Sequence, residues 1–246
     1  MRAAPADQLR LLDLQAIDLH LDQLAHRRRT LPELAELQQG QAALGGIRDD
    51  VVRARTEIDD LDREIRRLES DIDQVRQRAR RDQQRMDSGA ITASKELESL
   101  QHEVASLARR QSELEDAELE LMEQREEAQG ALDSVDTRLA KLREERAAAE
   151  QRRDETLREI NAEEERQRAE RGPLVAALPE DLVTLYEKIR EQSGMGAAML
   201  RARRCEGCRL ELSGVELTRF RSAAGDEVLR CDECRRILVR TAESGL

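Results

Sequence analysis

The chain has 246 residues, 53 acidic and 42 basic, a formal charge of −11, and 39% of it is charged, against about 25% in ordinary globular domains; that is too polar for one large core. It has no Trp, one Tyr (Tyr186) and one Phe (Phe220), so packing falls to Leu, Ile, Val and Ala. No apolar run approaches the roughly 18 residues of a membrane span, and the start MRAAPADQLR has no hydrophobic leader segment, so the expectation is a chain neither inserted nor secreted, in the cytoplasm.

Leu14, Ile17, Leu21 and Leu24 make a first amphipathic helix. Pro32 ends or kinks it, because proline lacks the N–H that a helix interior needs, and the helix is expected to fold against the base of a long helical hairpin. From Leu37 the positions 37, 40, 44, 47, 51, 54, 58, 61, 65, 68, 72, 75, 79, 82 and 86 alternate steps of three and four, and only Gly40 and Asp82 among them are not apolar. A period of 3.5 keeps one stripe facing a partner helix, which defines a coiled-coil seam. At 1.5 Å per residue the arm is about 75 Å long. A second seam runs from Ala90 through Leu97, Leu100, Val104, Leu107, Leu114, Leu121, Ala128, Leu132, Val135, Leu139 and Leu142 to Ala149, with Gln111, Glu118 and Arg125 at its polar positions.

Between the arms, Asp87-Ser88-Gly89 offers a helix stop, and Thr92 or Ser94 can cap the next helix. Two equal arms joined by a short break make an antiparallel hairpin. The β-branched Val51, Ile58, Ile65 and Ile72 at one seam position fit instead one continuous helix in a parallel dimer. In a hairpin, Gly45 and Gly46 lie roughly opposite the stretch containing Gly130, and glycines on both arms predict a bend there. Gly172-Pro173 then breaks the helical pattern. A helix from about Pro179 to Gln192 presents Leu182, Leu185, Tyr186 and Ile189, and Gly194 with Gly196 makes a hinge. With two Cys-x-x-Cys knuckles in the last 42 residues, whose spacing signals metal, the expected fold class is mostly α: a long antiparallel coiled-coil hairpin with a kinked N-terminal helix and a small C-terminal β zinc ribbon. The expected domains are a coiled-coil helical domain over 1–171, a short helix and hinge over 172–198, and a C4 zinc-ribbon domain over 199–246.

All four cysteines fall in two knuckles, Cys205-Glu206-Gly207-Cys208 and Cys231-Asp232-Glu233-Cys234, separated by 22 residues. In a reducing compartment this spacing signals metal. Each knuckle brings two thiolates to one ion, and four thiolates leave no open coordination position, so one structural zinc is expected at Cys205, Cys208, Cys231 and Cys234. Without it the ribbon should be largely unfolded. A redox pair or unpaired buried thiols are the alternatives.

Several stretches together resemble a family of bacterial coiled-coil proteins with a C-terminal C4-type zinc ribbon, most closely its actinobacterial branch. They are Leu14-Gln15 with Asp18, Leu31-Pro32, Ser94-Lys95-Glu96-Leu97 with Leu100-Gln101-His102-Glu103, Leu185-Tyr186-Glu187 with Ile189-Arg190, and Cys231 to Cys234 followed by Arg235-Arg236-Ile237-Leu238. The family often carries a nucleic-acid-binding label. Relatives elsewhere are described as adaptors or chaperones in flagellar assembly or type III secretion that bind a sigma factor and export components. The resemblance therefore implies protein partners connected with transcription or secretion. Arg235 departs from the pattern by standing where a glycine often follows the fourth cysteine.

Charge limits what the surface can hold. Residues 201 to 246 contain 10 Arg and 8 acidic side chains, and four thiolates with one Zn²⁺ cancel that surplus. A local cluster of Arg201, Arg203 and Arg204 with Arg209, Arg235 and Arg236 is the candidate nucleic-acid surface, although stacking on bases needs aromatic faces and Phe220 belongs in the ribbon's core. Residues 74 to 112 carry a basic surplus of three, which makes the hairpin tip a candidate protein-docking point through Arg76, Arg80, Arg85, Lys95 and Glu96; alternatively these charges form a solvated face that sets register. Enzyme chemistry is not expected, since a two-helix arm offers no water-excluding pocket and His20, His26 and His102 have no nucleophile at a useful spacing. The functional expectation is a non-enzymatic zinc-binding adaptor or chaperone-like protein that binds protein partners through its arm, without membrane insertion. The alternative is DNA or RNA binding through the ribbon's arginines.

Overall fold

The structure, a computed structural model, describes residues 1–89 and 91–246. It divides into two compact units, Ala35–Glu150 and Met1–Leu34 with Gln151–Leu246.

The first unit is the arm. It comprises most of α2 (Pro32–Asp87) and the first part of α3 (Ser94–Ala176). Every seam position from 37 to 86 is buried or half-buried, as is every one from 97 to 149; Ala90, where the heptad pattern starts the second seam, lies outside the described residues. Leu44 and Ile47 pack with Leu139, and Ile58 packs with Ala128 and Leu132. Residues further along α2 thus meet residues earlier in α3, which makes the pair an antiparallel hairpin and not a continuous helix. Between the helices Gly89 is left-handed, with φ 65°, a conformation that glycine adopts without penalty. Three polar side chains along the second seam find partners. Arg125 Nε donates to Asp62 at 3.2 Å, Arg146 donates to Gln41 Oε1 at 2.7 Å, and Gln111 donates to Glu115 at 2.8 Å.

Gly45, Gly46 and Gly130 lie within α2 and α3 and interrupt neither helix, and a Cβ added at any of them meets nothing within 4 Å. The bend predicted there leaves no break in the helices. Because glycine costs about 1 kcal/mol relative to alanine in a helix interior, Gly45→Ala with Gly46→Ala should stabilise the arm by about 1–2 kcal/mol, seen as a higher thermal midpoint of the helical circular dichroism signal. An unchanged or lower midpoint would mean that the backbone there needs glycine after all.

The second unit holds α1 (Pro5–Arg29), the end of α3, α4 (Glu180–Ser193) and the ribbon. Pro32 is the first residue of α2, after the break at Thr30 and Leu31, and Leu24 and Leu31 pack with Ile160 of α3. One expectation is corrected: α3 does not stop at Gly172-Pro173 but runs on to Ala176. Pro173 sits in its last turn, where few further bonds depend on the helix, and Leu174 and Val175 pack against the core of this unit.

The ribbon contains β1 (Ala197–Arg201), β2 (Arg204–Cys205), a helix α5 (Gly214–Ser222), β3 (Leu229–Arg230) and β4 (Ile237–Val239). Its strands lie in the order β2-β1-β4-β3, with β1 and β4 parallel and the outer pairs antiparallel. Alternation along a strand sends neighbouring side chains to opposite faces. Ala197, Ile237 and Val239 therefore join Leu11, Leu14, Leu182, Tyr186 and Ile189 in one core. Ala198, Leu200 and Leu238 join Phe220 and Leu229 in another beside the cysteines.

This sharing revises the expected hinge and the domain boundary at 199. Gly194 caps α4 with φ 73°. Gly196 is glycine for room: a Cβ there would lie 2.5 Å from the Tyr186 ring, and its N–H donates to Gln15 Oε1 at 2.7 Å. The segment is packed, and a boundary at 199 cuts through β1. The N-terminus also meets the ribbon, since Ala3 N–H donates to the Asp226 carbonyl at 2.8 Å and Val228 N–H to the Met1 carbonyl at 3.2 Å.

Candidate functional site

The four cysteines come together from two turns. Cys205 ends β2 and Cys208 follows in the first knuckle; Cys231 follows β3 and Cys234 precedes β4. Their sulfur atoms all lie within 4.8 Å of one another, with Cys205 to Cys234 at 3.7 Å and Cys208 to Cys231 at 3.8 Å. A disulfide needs about 2.05 Å, whereas a tetrahedron of sulfurs around zinc with bonds of about 2.3 Å has edges of about 3.8 Å. The donor set fits one structural zinc ion. Burial pushes the Cys205 thiol far above the ordinary cysteine range and that of Cys231 up to about 11. At Cys234 burial is outweighed by the Arg236 backbone N–H and the neighbouring thiols, and its pKa is lowered. A buried set of this kind holds four thiolates only when a cation compensates them, so zinc uptake releases protons.

Backbone geometry around the knuckles is unusual. Arg209 and Arg235, each directly after the second cysteine of its knuckle, are left-handed with φ 63° and 65°. Arg235 thus occupies, at the steric cost of a Cβ, the conformation that a glycine there adopts freely. Ala202 and Arg203 are also left-handed, in the tight turn joining β1 to β2, and their N–H groups donate to the carbonyls of Glu243 and Ser244 at 2.7 and 2.9 Å.

The arginine cluster is partly engaged. Arg201 pairs with Glu243 at 2.8 Å and Arg204 with Glu211 at 3.6 Å. Arg203 donates to the Gly245 carbonyl at 3.0 Å and Arg236 to the Ser193 carbonyl at 3.1 Å. Arg209 and Arg235 are exposed.

At the tip the expected docking residues divide. Arg76 pairs with Glu115 at 2.6 Å, Arg85 with Glu96 at 3.8 Å, and Arg78 with Glu103. These pairs cross from one arm to the other, so Arg76, Arg85 and Glu96 are engaged within the hairpin. Arg80, Lys95 and Arg109 are exposed and, among the described residues, have no ion-pair partner.

A buried polar cluster joins α1 and α4 to the ribbon, and sequence reasoning missed it. Asp18, 1% exposed, accepts from Tyr186 Oη at 2.7 Å and Arg171 Nε at 2.7 Å, and Arg190 Nε approaches to 3.5 Å. Gln15 Oε1 accepts from the Gly196 N–H at 2.7 Å and the Ala197 N–H at 3.3 Å. The signal was available: Gln15 and Asp18 are polar residues on the apolar face of Leu11 and Leu14, and a polar residue there needs a buried partner.

Fold and site define a zinc-stapled coiled-coil hairpin protein. The comparisons agree: residues 14–194 match the CT398-like coiled coil hairpin domain and residues 204–238 the C4-type zinc ribbon domain, and the chain belongs to this family. The Mycobacterium tuberculosis protein Rv2229c is 43% identical over 240 residues, covering 98% of both chains. A Mycobacterium leprae protein, ML1638, is 30% identical over 89% of this chain and 94% of its own. A solved structure from Mycobacterium smegmatis is 38% identical and superposes with a TM-score of 0.84, covering 98% of this chain and all of that one. CT398 from Chlamydia trachomatis, at 22% identity, shares the fold with a TM-score of 0.68, over 96% of this chain and 98% of its own. No helix among the described residues is long and apolar enough to cross a membrane.

Proposed function

We propose that this protein is a non-enzymatic adaptor of the reducing cytoplasm, whose braced coiled-coil arm presents a basic tip to acidic protein partners and whose zinc holds the ribbon's fold without catalysing. The observation that carries this reading is the tip itself, where cross-arm pairs fix the helices and Arg80, Lys95 and Arg109 keep unspent positive charge. Affinity capture with the full chain tests it. Arg80→Glu with Lys95→Glu should lose acidic partners that the unchanged chain holds, with the circular dichroism spectrum unaltered, because neither residue lies in the seam. An identical set of captured proteins from both chains would remove the tip from the account.

Nucleic-acid binding is the second reading, favoured by the exposed Arg209 and Arg235 beside the knuckles. It predicts an affinity for RNA or DNA that falls steeply with salt and is lost in Arg209→Ala with Arg235→Ala.

A further inference from the structure

The charge on the arm is sorted along its length. Residues 74 to 112 around the tip carry a basic surplus of three. The next stretch of α3, residues 113 to 127, holds eight acidic side chains against a single basic one, Arg125. Arg125 is already committed to Asp62 across the seam, while Asp116, Glu120, Glu123 and Glu127 are exposed. In the same stretch two large apolar side chains stand outside the seam, Leu119 at 58% exposure and Met122 at 50%. They are three residues apart and therefore share a helix face. Neither belongs to the hairpin's own core, and both lie among carboxylates opposite in sign to the tip.

We propose that this surface is where a second copy of the same chain docks: two arms lie side by side and antiparallel, the basic tip of each against the acidic middle of the other. The Arg78–Glu103 pair puts Arg80 and Arg81 level with about residue 102 of α3, about 18 residues, or about 27 Å of helix, from the centre of the acidic stretch, which sets the offset of the two arms. A twofold axis makes the contact twice, as closed dimers require. Parallel copies in register would set acidic middle against acidic middle, so charge selects the antiparallel arrangement. Arg80 and Arg81 face Glu120 and Glu123 of the second copy, Lys95 faces Glu127, and Leu119 and Met122 lose water in the contact. This rests on reading the tip as a docking point and names what docks there.

Sedimentation of the full chain at low and high salt tests it through two charge-reversed variants. One carries Arg80→Glu, Arg81→Glu and Lys95→Glu; the other carries Glu120→Arg, Glu123→Arg and Glu127→Arg. The unchanged chain should dimerise at low salt and weaken as the screening length shrinks below about 10 Å. Each variant alone should dimerise at least about tenfold more weakly, and an equimolar mixture should recover a mixed dimer, because both contacts are again attractive. A monomeric unchanged chain, a dimer indifferent to either variant, or a mixture that stays monomeric each overturns the proposal. Adaptor binding is judged separately, since the second variant keeps a basic tip and should still capture acidic partners even if no dimer exists.

Discussion

Cys231→Ser should deprive the chain of its zinc, and the loss should be felt at Tyr186 on the other face of the ribbon's sheet. The knuckle and the strand that packs on Tyr186 are continuous: Cys231 N–H donates to the Arg236 carbonyl at 3.0 Å, and β4 begins at Ile237, which donates to the Gly196 carbonyl at 3.0 Å. Ile237 and Val239 lie in the core that contains Tyr186. A structural zinc contributes about 10–16 kcal/mol in small zinc-binding folds, comparable to the entire stability of an ordinary domain of about 5–15 kcal/mol, so the strands cannot keep their places without it. With one Tyr and no Trp in the chain, tyrosine emission reports this position alone. The variant should bind less than one zinc per chain and show altered tyrosine emission, while most of the helical circular dichroism persists because the arm has its own seam. Full zinc content in the variant, or tyrosine emission indifferent to chelation of the unchanged chain, would contradict this coupling.

The seams were legible because a 3.5-residue period survives over many turns and needs no knowledge of the partner: Leu44, Ile58 and Ile72 fall where the pattern puts them. The knuckles were legible because thiolate spacing is local. What sequence misread was the reason for a residue. Gly194 and Gly196 look like freedom, yet the first supplies a left-handed cap and the second makes room for a ring ten residues back in the chain. Arg76 and Arg85 look like free charge until the antiparallel register brings Glu115 and Glu96 beside them. Helix α5 had a local signal, a capping box in which Ser213 accepts from the Glu216 N–H and Glu216 accepts from the Ser213 N–H. The packing of β1 on α1 had no local signal, since it depends on Gln15 reaching backbone about 180 residues away.

Asp18→Ala should destabilise the ribbon-bearing unit by about 3–5 kcal/mol, the loss expected when one member of a buried ionic network is removed and its partners stay. Its carboxylate is 1% exposed and receives Tyr186 and Arg171, with Arg190 close by; Arg171 also pairs with Glu187, and Arg190 with Asp22. Hydrogen bonding to Asp18 pushes the Arg171 pKa up, and without that carboxylate the guanidinium is still charged, because arginine is not deprotonated in proteins. Asp22→Ala removes an exposed ion pair with Arg190 and should cost less than about 1 kcal/mol, which makes it the control for simple loss of a surface charge. Denaturant unfolding followed by tyrosine emission measures both. A second readout separates the network from plain packing. Burial and then the bond to Asp18 hold the Tyr186 hydroxyl well above the ordinary tyrosine value of about 10. In that pH range the unfolded chain gives up the tyrosine proton and the folded chain keeps it, so stability falls as pH rises past about 10. Asp18→Asn keeps the shape but not the charge, and it should bring tyrosinate formation in the folded protein to lower pH. Equal costs for Asp18→Ala and Asp22→Ala, with tyrosine titration unmoved in Asp18→Asn, would leave the cluster without a part in joining α1 and α4 to the ribbon.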